Sequence, residues 1–258
     1  MQYVYCVAAL RALAAETPDG LDGGQTRVAE NADAGLCALA SELDASEYAA
    51  ERVSEMMLDA DWLAPRAIGH DAVVTWAADR ADVVPLPMWV MFSDTAAVER
   101  MLAERAEEFQ TALRAISGAR EFGVRVCADA AAIAALVARL DGSLSDLEHR
   151  ASVAPPGQAY LLRRKLAEQH KIFVRDVAGR TADDIHSRLS SQARANSPRA
   201  SAVAKEPGVL LDGAYLVDDA KYDLFRSLVT DVMDEYQADG LRFEFTGPWP
   251  PYHFVHAS

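Results

Sequence analysis

The feature that most constrains the fold of this chain is its C-terminal run Thr246–Val255, which reads Thr-Gly-Pro-Trp-Pro-Pro-Tyr-His-Phe-Val. Each proline fixes φ and removes a backbone donor, so the run continues neither a helix nor a central strand. Trp249, Tyr252 and Phe254 carry a large apolar area that must be buried. The run therefore either docks on a partner or packs on the protein itself. Its short connection to the preceding strand favours packing, with Trp249 and Tyr252 buried across an interdomain junction.

Composition and charge exclude several classes of protein. The chain has 258 residues and a formal net charge of −14, which argues against binding to a nucleic-acid backbone. Cys6, Cys37 and Cys127 are scattered and odd in number, which is typical of reduced thiols in a cytoplasmic protein. We find neither a membrane-spanning stretch nor the basic start of a signal peptide, and we expect a soluble protein.

The hydrophobic periodicity predicts an α+β protein with no internal repeat. Residues 187–207 are rich in Ser, Ala and Arg and are typical of a mobile connection, while residues 141–157 are predicted to form a loop. We predict strands over 2–10, 26–31, 36–43, 83–92, 121–128, 210–217 and 241–246, and helices over 46–80 with a break at Pro65, 94–116, 129–140, 157–194 and 219–238.

These elements divide into two predicted domains and a tail. Residues 1–117 form an N-terminal α+β domain and residues 118–246 a C-terminal domain, while residues 247–258 form a Pro/aromatic tail packed on the body. The C-terminal element order is typical of a modified ferredoxin-like β-α-β-α-β arrangement with a long inserted helical segment.

Catalytic motifs are absent from the sequence. It contains no Gly-rich phosphate loop, Cys-x-x-Cys, His-Glu-x-x-His or Gly-x-Ser-x-Gly. His70 precedes Asp71 and fits a base oriented by a carboxylate, but such a histidine more often packs or caps a helix. His253 and His256 lack the further ligands that a metal needs. We therefore expect no enzyme activity, no cofactor and no metal site.

Three consecutive cations, Arg163-Arg164-Lys165, follow Gly157-Gln-Ala-Tyr-Leu-Leu. At the start of a helix they oppose the preference for negative charge. They either pair with neighbouring acidic residues or contact an acidic partner segment or the other domain. We expect a partner to contact the sheet of the C-terminal domain and six side chains: Tyr160, Arg163, Arg164, Lys165, Trp249 and Tyr252.

Four segments together resemble the gas vesicle protein F/L family (GvpF/GvpL). Tyr3-Val4-Tyr5 is similar to its opening strand, and Glu121–Val126 is similar to its Glu-Trp-Gly-Val-Lys-Val strand. Gly157–Lys165 is similar to its Gly-x-Ala-Tyr-Leu-Leu-Arg-Arg-Lys helix start. Gly247–Val255 is similar to its C-terminal motif, where the family usually has Asn at the position of His253. Val84–Phe92 departs from the family's Pro-Leu-Arg-Phe-Gly-Thr type of segment, because it lacks the Arg and the Gly.

The resemblance implies a two-domain α+β protein with a modified ferredoxin fold. It also implies a non-enzymatic accessory or minor structural protein of gas vesicle assembly, found in the cytoplasm and at the vesicle. Its partners would be the small hydrophobic major shell protein and other accessory proteins. The alternative is a small-ligand or regulatory binding module, since ferredoxin-like sheets often bind ligands on their open face.

Overall fold

The structure, a computed structural model, describes residues 1–13, 16–140, 149, 152–199, 206 and 208–255. These residues form a mixed α+β chain with two antiparallel sheets, in agreement with the predicted class. Its contacts form two compact units, which we call the N-terminal unit (Met1–Glu121 with Pro248–Ser258) and the C-terminal unit (Phe122–Gly247). The domain boundaries proposed from the sequence stay a prediction. The loop predicted over 141–157 lies largely outside the described residues.

The strands of the N-terminal unit are β1 Gln2–Ala9, β2 Thr26–Asn31, β3 Leu36–Glu42, β4 Val83–Pro85 and β5 Met91–Phe92. They form a five-stranded sheet in the order β2-β3-β1-β4, with β5 also paired to β1. Every residue of β1 from Tyr3 to Ala8 is buried. A strand covered on both faces has a continuous apolar run, as Tyr-Val-Tyr-Cys-Val-Ala is here.

The described part of this unit contains four α-helices: α1 Ala50–Met56, α2 Ala60–Ala78, α3 Thr95–Glu104 and α4 Ala106–Ile116. Of these, α2 and α3 begin after aspartates, Asp59 and Asp94, whose side chains accept hydrogen bonds from the first turn.

The break predicted at Pro65 is wrong. Helix α2 begins after Asp59, whose carboxylate accepts hydrogen bonds from the backbone N–H groups of Asp61 (3.0 Å) and Trp62 (3.3 Å). Pro65 lies in the second turn, where it removes one helical hydrogen bond without ending the helix. The single helix predicted over 94–116 is also divided, because Arg105 leaves the helical region at φ −108° and ψ 19°.

The elements that follow α4 are β6 Ala119–Cys127, α5 Ala130–Leu140, α6 Pro156–Ser190, β7 Ala195–Pro198, β8 Val209–Asp218, α7 Tyr222–Gln237 and β9 Arg242–Trp249. The second sheet has the strand order β7-β8-β6-β9. Helix α7 turns an apolar stripe inward, with Phe225, Val229, Val232 and Tyr236 buried.

Two predictions in this region are wrong. Ala195–Pro198, expected in a mobile connection, forms β7 and pairs with β8 from Leu216 to Gly213; residues 200–205 and 207 lie outside the described part. Strand β9 runs three residues beyond the expected end at Thr246. An edge strand does not need every backbone donor, and Gly247 adopts a φ of 111° that favours glycine.

Candidate partner-binding surface

Helix α6 carries four of the six predicted contact residues. Its first residue is Pro156, a proline suited to the first turn. Arg163 and Arg164 therefore lie beyond the first turn, where the helix dipole has little effect. The expectation that these cations oppose the dipole is wrong for that reason. The side chain of Lys165 lies outside the described part of the chain.

The two ends of α6 differ in how much apolar surface they bury. Near its C-terminus, Val177, Ile185 and Leu189 are buried at helical spacing. Near its N-terminus, Tyr160 is 66% exposed and Leu161 is 64% exposed. The N-terminal half thus presents apolar side chains that this chain leaves uncovered.

Five exposed residues of this half define what we call the α6 surface: Tyr160, Leu161, Arg163, Arg164 and Ile172. Ile172 is 71% exposed. It follows Leu161 by about three helical turns, so both lie on one stripe, and Tyr160 neighbours Arg164 one turn on. Arg163 and Arg164 are both exposed, and Arg163 makes no ion pair with any described residue. The α6 surface is therefore apolar and basic in a chain of net charge −14.

The other two predicted contact residues, Trp249 and Tyr252, belong to the N-terminal unit. Trp249 ends β9 and is 45% exposed, so the expectation that it is buried is wrong. An edge strand leaves one side of its last residue uncovered. Tyr252 packs half-buried against the core of its unit, and burial raises the pKa of its phenol beside Asp71.

His253 and Glu121 fix the tail within the N-terminal unit. The backbone N–H of His253 donates to Glu121 Oε2 at 3.0 Å, and its ring Nδ1 lies 2.6 Å from Oε1. Glu121 is only 4% exposed, and a buried carboxylate needs such partners. This pair is not predictable from the amino-acid sequence, because 132 residues separate its members.

His70 occupies the core of the N-terminal unit. It is 3% exposed, and its Nδ1 lies 2.7 Å from the hydroxyl of Tyr3. Desolvation lowers its pKa to about 4, so the ring is neutral at pH 7. The packing interpretation of His70 therefore fits its surroundings, since a substrate has no access to the ring.

Neither a metal site nor a membrane span is found in the described ranges. No three or more His, Cys, Asp or Glu side chains among them are grouped to hold a metal ion. None of the helices described has the length and apolar character needed to cross a bilayer.

Comparison with other proteins identifies relatives over the whole chain. Gas vesicle protein L of Streptomyces sp. (strain CB03234) is 30% identical over 262 residues, which cover 99% of this chain and 92% of that protein. Gas vesicle protein L1 of Halobacterium salinarum is 26% identical over 268 residues, covering 98% of this chain and 90% of that protein.

Solved structures share the fold at low sequence identity. The crystal structure of gas vesicle protein GvpF from Anabaena sp. PCC7120 matches with a TM-score of 0.71 and 17% identity, covering all of this chain and 96% of that one. GvpF from Microcystis aeruginosa matches with a TM-score of 0.69 and 15% identity, covering 99% and 98%. The model of the family described as gas vesicle synthesis protein GvpL/GvpF matches residues 1–256, and the chain belongs to that family.

Proposed function

We propose that this chain is a non-enzymatic accessory or minor structural protein of gas vesicle assembly that binds the small hydrophobic major shell protein. Family membership supports the gas vesicle part of the proposal, and the family is not known as enzymatic. The observation that carries the binding part is the α6 surface. The protein would act in the cytoplasm and at the vesicle, with other gas vesicle proteins as further partners.

The exposed apolar side chains of the α6 surface supply the affinity in this proposal. Full burial of an aliphatic or aromatic side chain contributes about 1.5–3 kcal/mol. Tyr160, Leu161 and Ile172 are each about two-thirds exposed, so a partner has most of that area to cover. A hydrophobic shell subunit exposes matching area before it is incorporated, and covering this area limits aggregation.

The charges add specificity and solubility. Arg163 and Arg164 favour a partner segment that places a carboxylate beside its apolar residues. The remaining surface of this acidic chain repels further copies and keeps a complex in solution. Trp249 offers a second exposed apolar contact on the N-terminal unit.

We also propose that the C-terminal unit is a modified ferredoxin-like domain. Numbered along the chain, its four strands lie in the order second, third, first, fourth, with helices between the first and second and between the third and fourth. This order supports a split β-α-β arrangement. The long α6 is the inserted helical segment.

Co-expression with the major shell protein tests the binding proposal. The double variant Leu161→Ser/Arg163→Ser removes one apolar and one basic group from the α6 surface. Its matched control, Leu224→Ser/Arg226→Ser, changes the same residue types on α7, where both side chains are also exposed. We expect the unchanged chain and the control to raise the soluble fraction of the shell protein severalfold, and the α6 variant to lose most of that gain.

Two further measurements make the outcome decisive. Thermal melts of the purified variants check that both retain the fold, as exposed substitutions away from special features cost little stability. Cross-linking followed by peptide mapping places the shell protein on the chain. Equal soluble fractions for the two variants, with cross-links away from α6, contradict the proposed surface. No effect of the unchanged chain contradicts the proposed function.

A further inference from the structure

A cleft of about 620 Å³ in the C-terminal unit collects arginines from three separate elements. Arg125 comes from β6, Arg175 from α6 and Arg242 from β9. Two acidic residues, Asp129 and Glu206, also line it, so the charged side chains that the structure describes in the cleft sum to +1. A locally positive cleft in a chain of net charge −14 is a favourable place for an anion.

Aliphatic side chains from three elements also line the cleft. Those that the structure describes, which we call the aliphatic wall, are Ile133 of α5, Val174 of α6, and Val209 and Leu210 of β8. A bare inorganic anion gains nothing from such a wall, whereas a ligand with a hydrocarbon portion buries apolar area against it. Apolar walls with a few convergent polar groups are typical of small-ligand sites.

A carboxylate of the protein itself already occupies part of this cleft. The carboxylate of Glu206 accepts a hydrogen bond from Arg125, although 81 residues separate the two. The Glu206 side chain is 54% exposed, so the pair is screened by solvent and contributes only weakly to stability. Arg125 thus accepts a carboxylate that is held loosely enough to be displaced.

The other two arginines are less firmly engaged. The Nη1 atom of Arg242 lies 3.8 Å from Oδ2 of Asp129. The same carboxylate caps α5, because it accepts hydrogen bonds from the backbone N–H groups of Ala131 and Ala132. Arg175 is exposed and forms no ion pair with any residue that the structure describes. Guanidinium groups bind carboxylates through paired hydrogen bonds. Because neither Arg175 nor Arg242 makes such a pair with a described carboxylate, both side chains are available to a ligand.

We propose that this cleft binds an aliphatic carboxylate, with its carboxylate on the cleft arginines and its hydrocarbon chain on the aliphatic wall. Glu206 competes for the same site through Arg125. Such a carboxylate is either a free acid or the C-terminus of a peptide that ends in aliphatic residues. The site goes beyond the proposed role in gas vesicle assembly, since it needs neither the shell protein nor the α6 surface.

Titration of the full-length protein with hexanoate, followed by calorimetry or by NMR shifts, tests the proposal. We expect saturable binding of hexanoate. Hexan-1-ol, which lacks the carboxylate, and inorganic phosphate, which lacks the hydrocarbon chain, should each bind at least about tenfold more weakly. The double variant Arg175→Ala/Arg242→Ala should weaken binding about tenfold or more. Arg226→Ala, which removes an exposed arginine of α7, is the matched control and should bind normally.

Glu206→Gln tests the competition directly, because it removes the carboxylate that engages Arg125 and takes one negative charge out of the cleft. We expect affinity for hexanoate to rise about threefold, in line with the strength of an exposed ion pair. Unchanged or weaker binding by this variant overturns the proposal, as does equal binding of hexanoate and hexan-1-ol.

A peptide arm distinguishes the two sources of the carboxylate. An acetylated tetrapeptide ending in Ala-Val with a free carboxylate is compared with its C-terminal amide. Tighter binding of the free-carboxylate peptide than of hexanoate assigns the site to a polypeptide terminus, and the reverse order assigns it to a free acid. Binding of neither the peptide acid nor hexanoate overturns the proposal, whatever the shell-protein experiment shows.

Discussion

The two units build their cores from different aromatic chemistry. The N-terminal core centres on tyrosines that are tied to polar side chains, with Tyr3 bonded to His70 and Tyr5 to Ser41, each at 2.7 Å. The C-terminal core centres on Phe122, Phe225 and Phe245, whose ring centroids lie 5.6 to 6.2 Å apart. Two tyrosines of this core, Tyr215 and Tyr236, also hydrogen-bond to side chains, but their partners His186 and Asp184 are not buried, whereas His70 and Ser41 are.

Side chains that are buried to the same degree in the two cores therefore differ in which substitutions or pH changes destabilise them. A core of phenylalanines is held by volume and shape, so a smaller side chain leaves a cavity. A core of hydrogen-bonded tyrosines and histidine depends on partner groups and on protonation, so removing one atom or lowering the pH disturbs it. The units should therefore respond to different perturbations.

The tryptophans make the comparison measurable. All four, Trp62, Trp76, Trp89 and Trp249, belong to the N-terminal unit. Tryptophan fluorescence thus reports unfolding of that unit, while far-ultraviolet circular dichroism reports both. A variant of the C-terminal core that shifts both signals equally shows that the chain unfolds as one cooperative block.

The largest expected effect is that of Phe225→Ala. The ring is fully buried and contacts the aromatic rings of its core, so its removal should cost about 3–5 kcal/mol. Urea unfolding followed by circular dichroism measures the loss. Leu224→Ala is the control, because Leu224 is 63% exposed and should change stability little. Similar losses for the two variants contradict the volume-dependent core.

The second-largest effect is expected from a fall in pH, which lowers folding stability through protonation of His70. Burial lowers the pKa of His70 from 6.5 to about 4, so the unfolded chain protonates this residue first as the pH falls. The contribution of His70 is fully present above pH 6.5 and is lost as the pH falls to about 4, a change of about 3 kcal/mol. We expect His70→Gln to flatten the fall in stability over this range, measured by tryptophan fluorescence. Parallel pH profiles for the two proteins contradict the prediction.

Tyr3→Phe should have a smaller effect in the same core. The substitution keeps the ring but leaves His70 Nδ1 without its partner, at a cost of about 1–2 kcal/mol. Tyr160→Phe serves as the control, since the Tyr160 side chain is 66% exposed. Chemical unfolding measured by fluorescence gives both values. A loss below that of the control means that the hydroxyl contributes nothing to this core.

The smallest effects are expected at His253. His253→Ala keeps the backbone hydrogen bond to Glu121 but removes the ring contact, which should cost about 1 kcal/mol. His253→Asn should cost less, because the shorter amide can still donate to the carboxylate. Thermal melts followed by fluorescence measure the two shifts. An Asn variant less stable than the Ala variant contradicts the proposed contact.

The sequence predicts elements better than it predicts their ends and pairings. Apolar periodicity located α7 because its pattern and its burial coincide. The same periodicity did not locate the start of α2. The helix begins after the capping residue Asp59, whereas the sequence pattern predicts a break at Pro65. The periodicity also missed β7, since Asn196 and Ser197 are poor strand formers and are held there by pairing with β8.

The candidate site was predictable only in part. The run of cations and the neighbouring Tyr160 are visible in the sequence, but their exposure follows from which face of α6 is covered. The convergence of Arg125, Arg175 and Arg242 on one cleft is invisible along the chain, because it depends on how three elements pack.

Both sheets end on strands that discourage further strand addition. Three of the five outermost strands described contain a proline: Pro85 in β4, Pro198 in β7 and Pro248 in β9. A proline at an outer strand interrupts the row of donors that another polypeptide would need for cross-β growth. These prolines thereby protect the sheets of this chain against serving as templates for fibril growth.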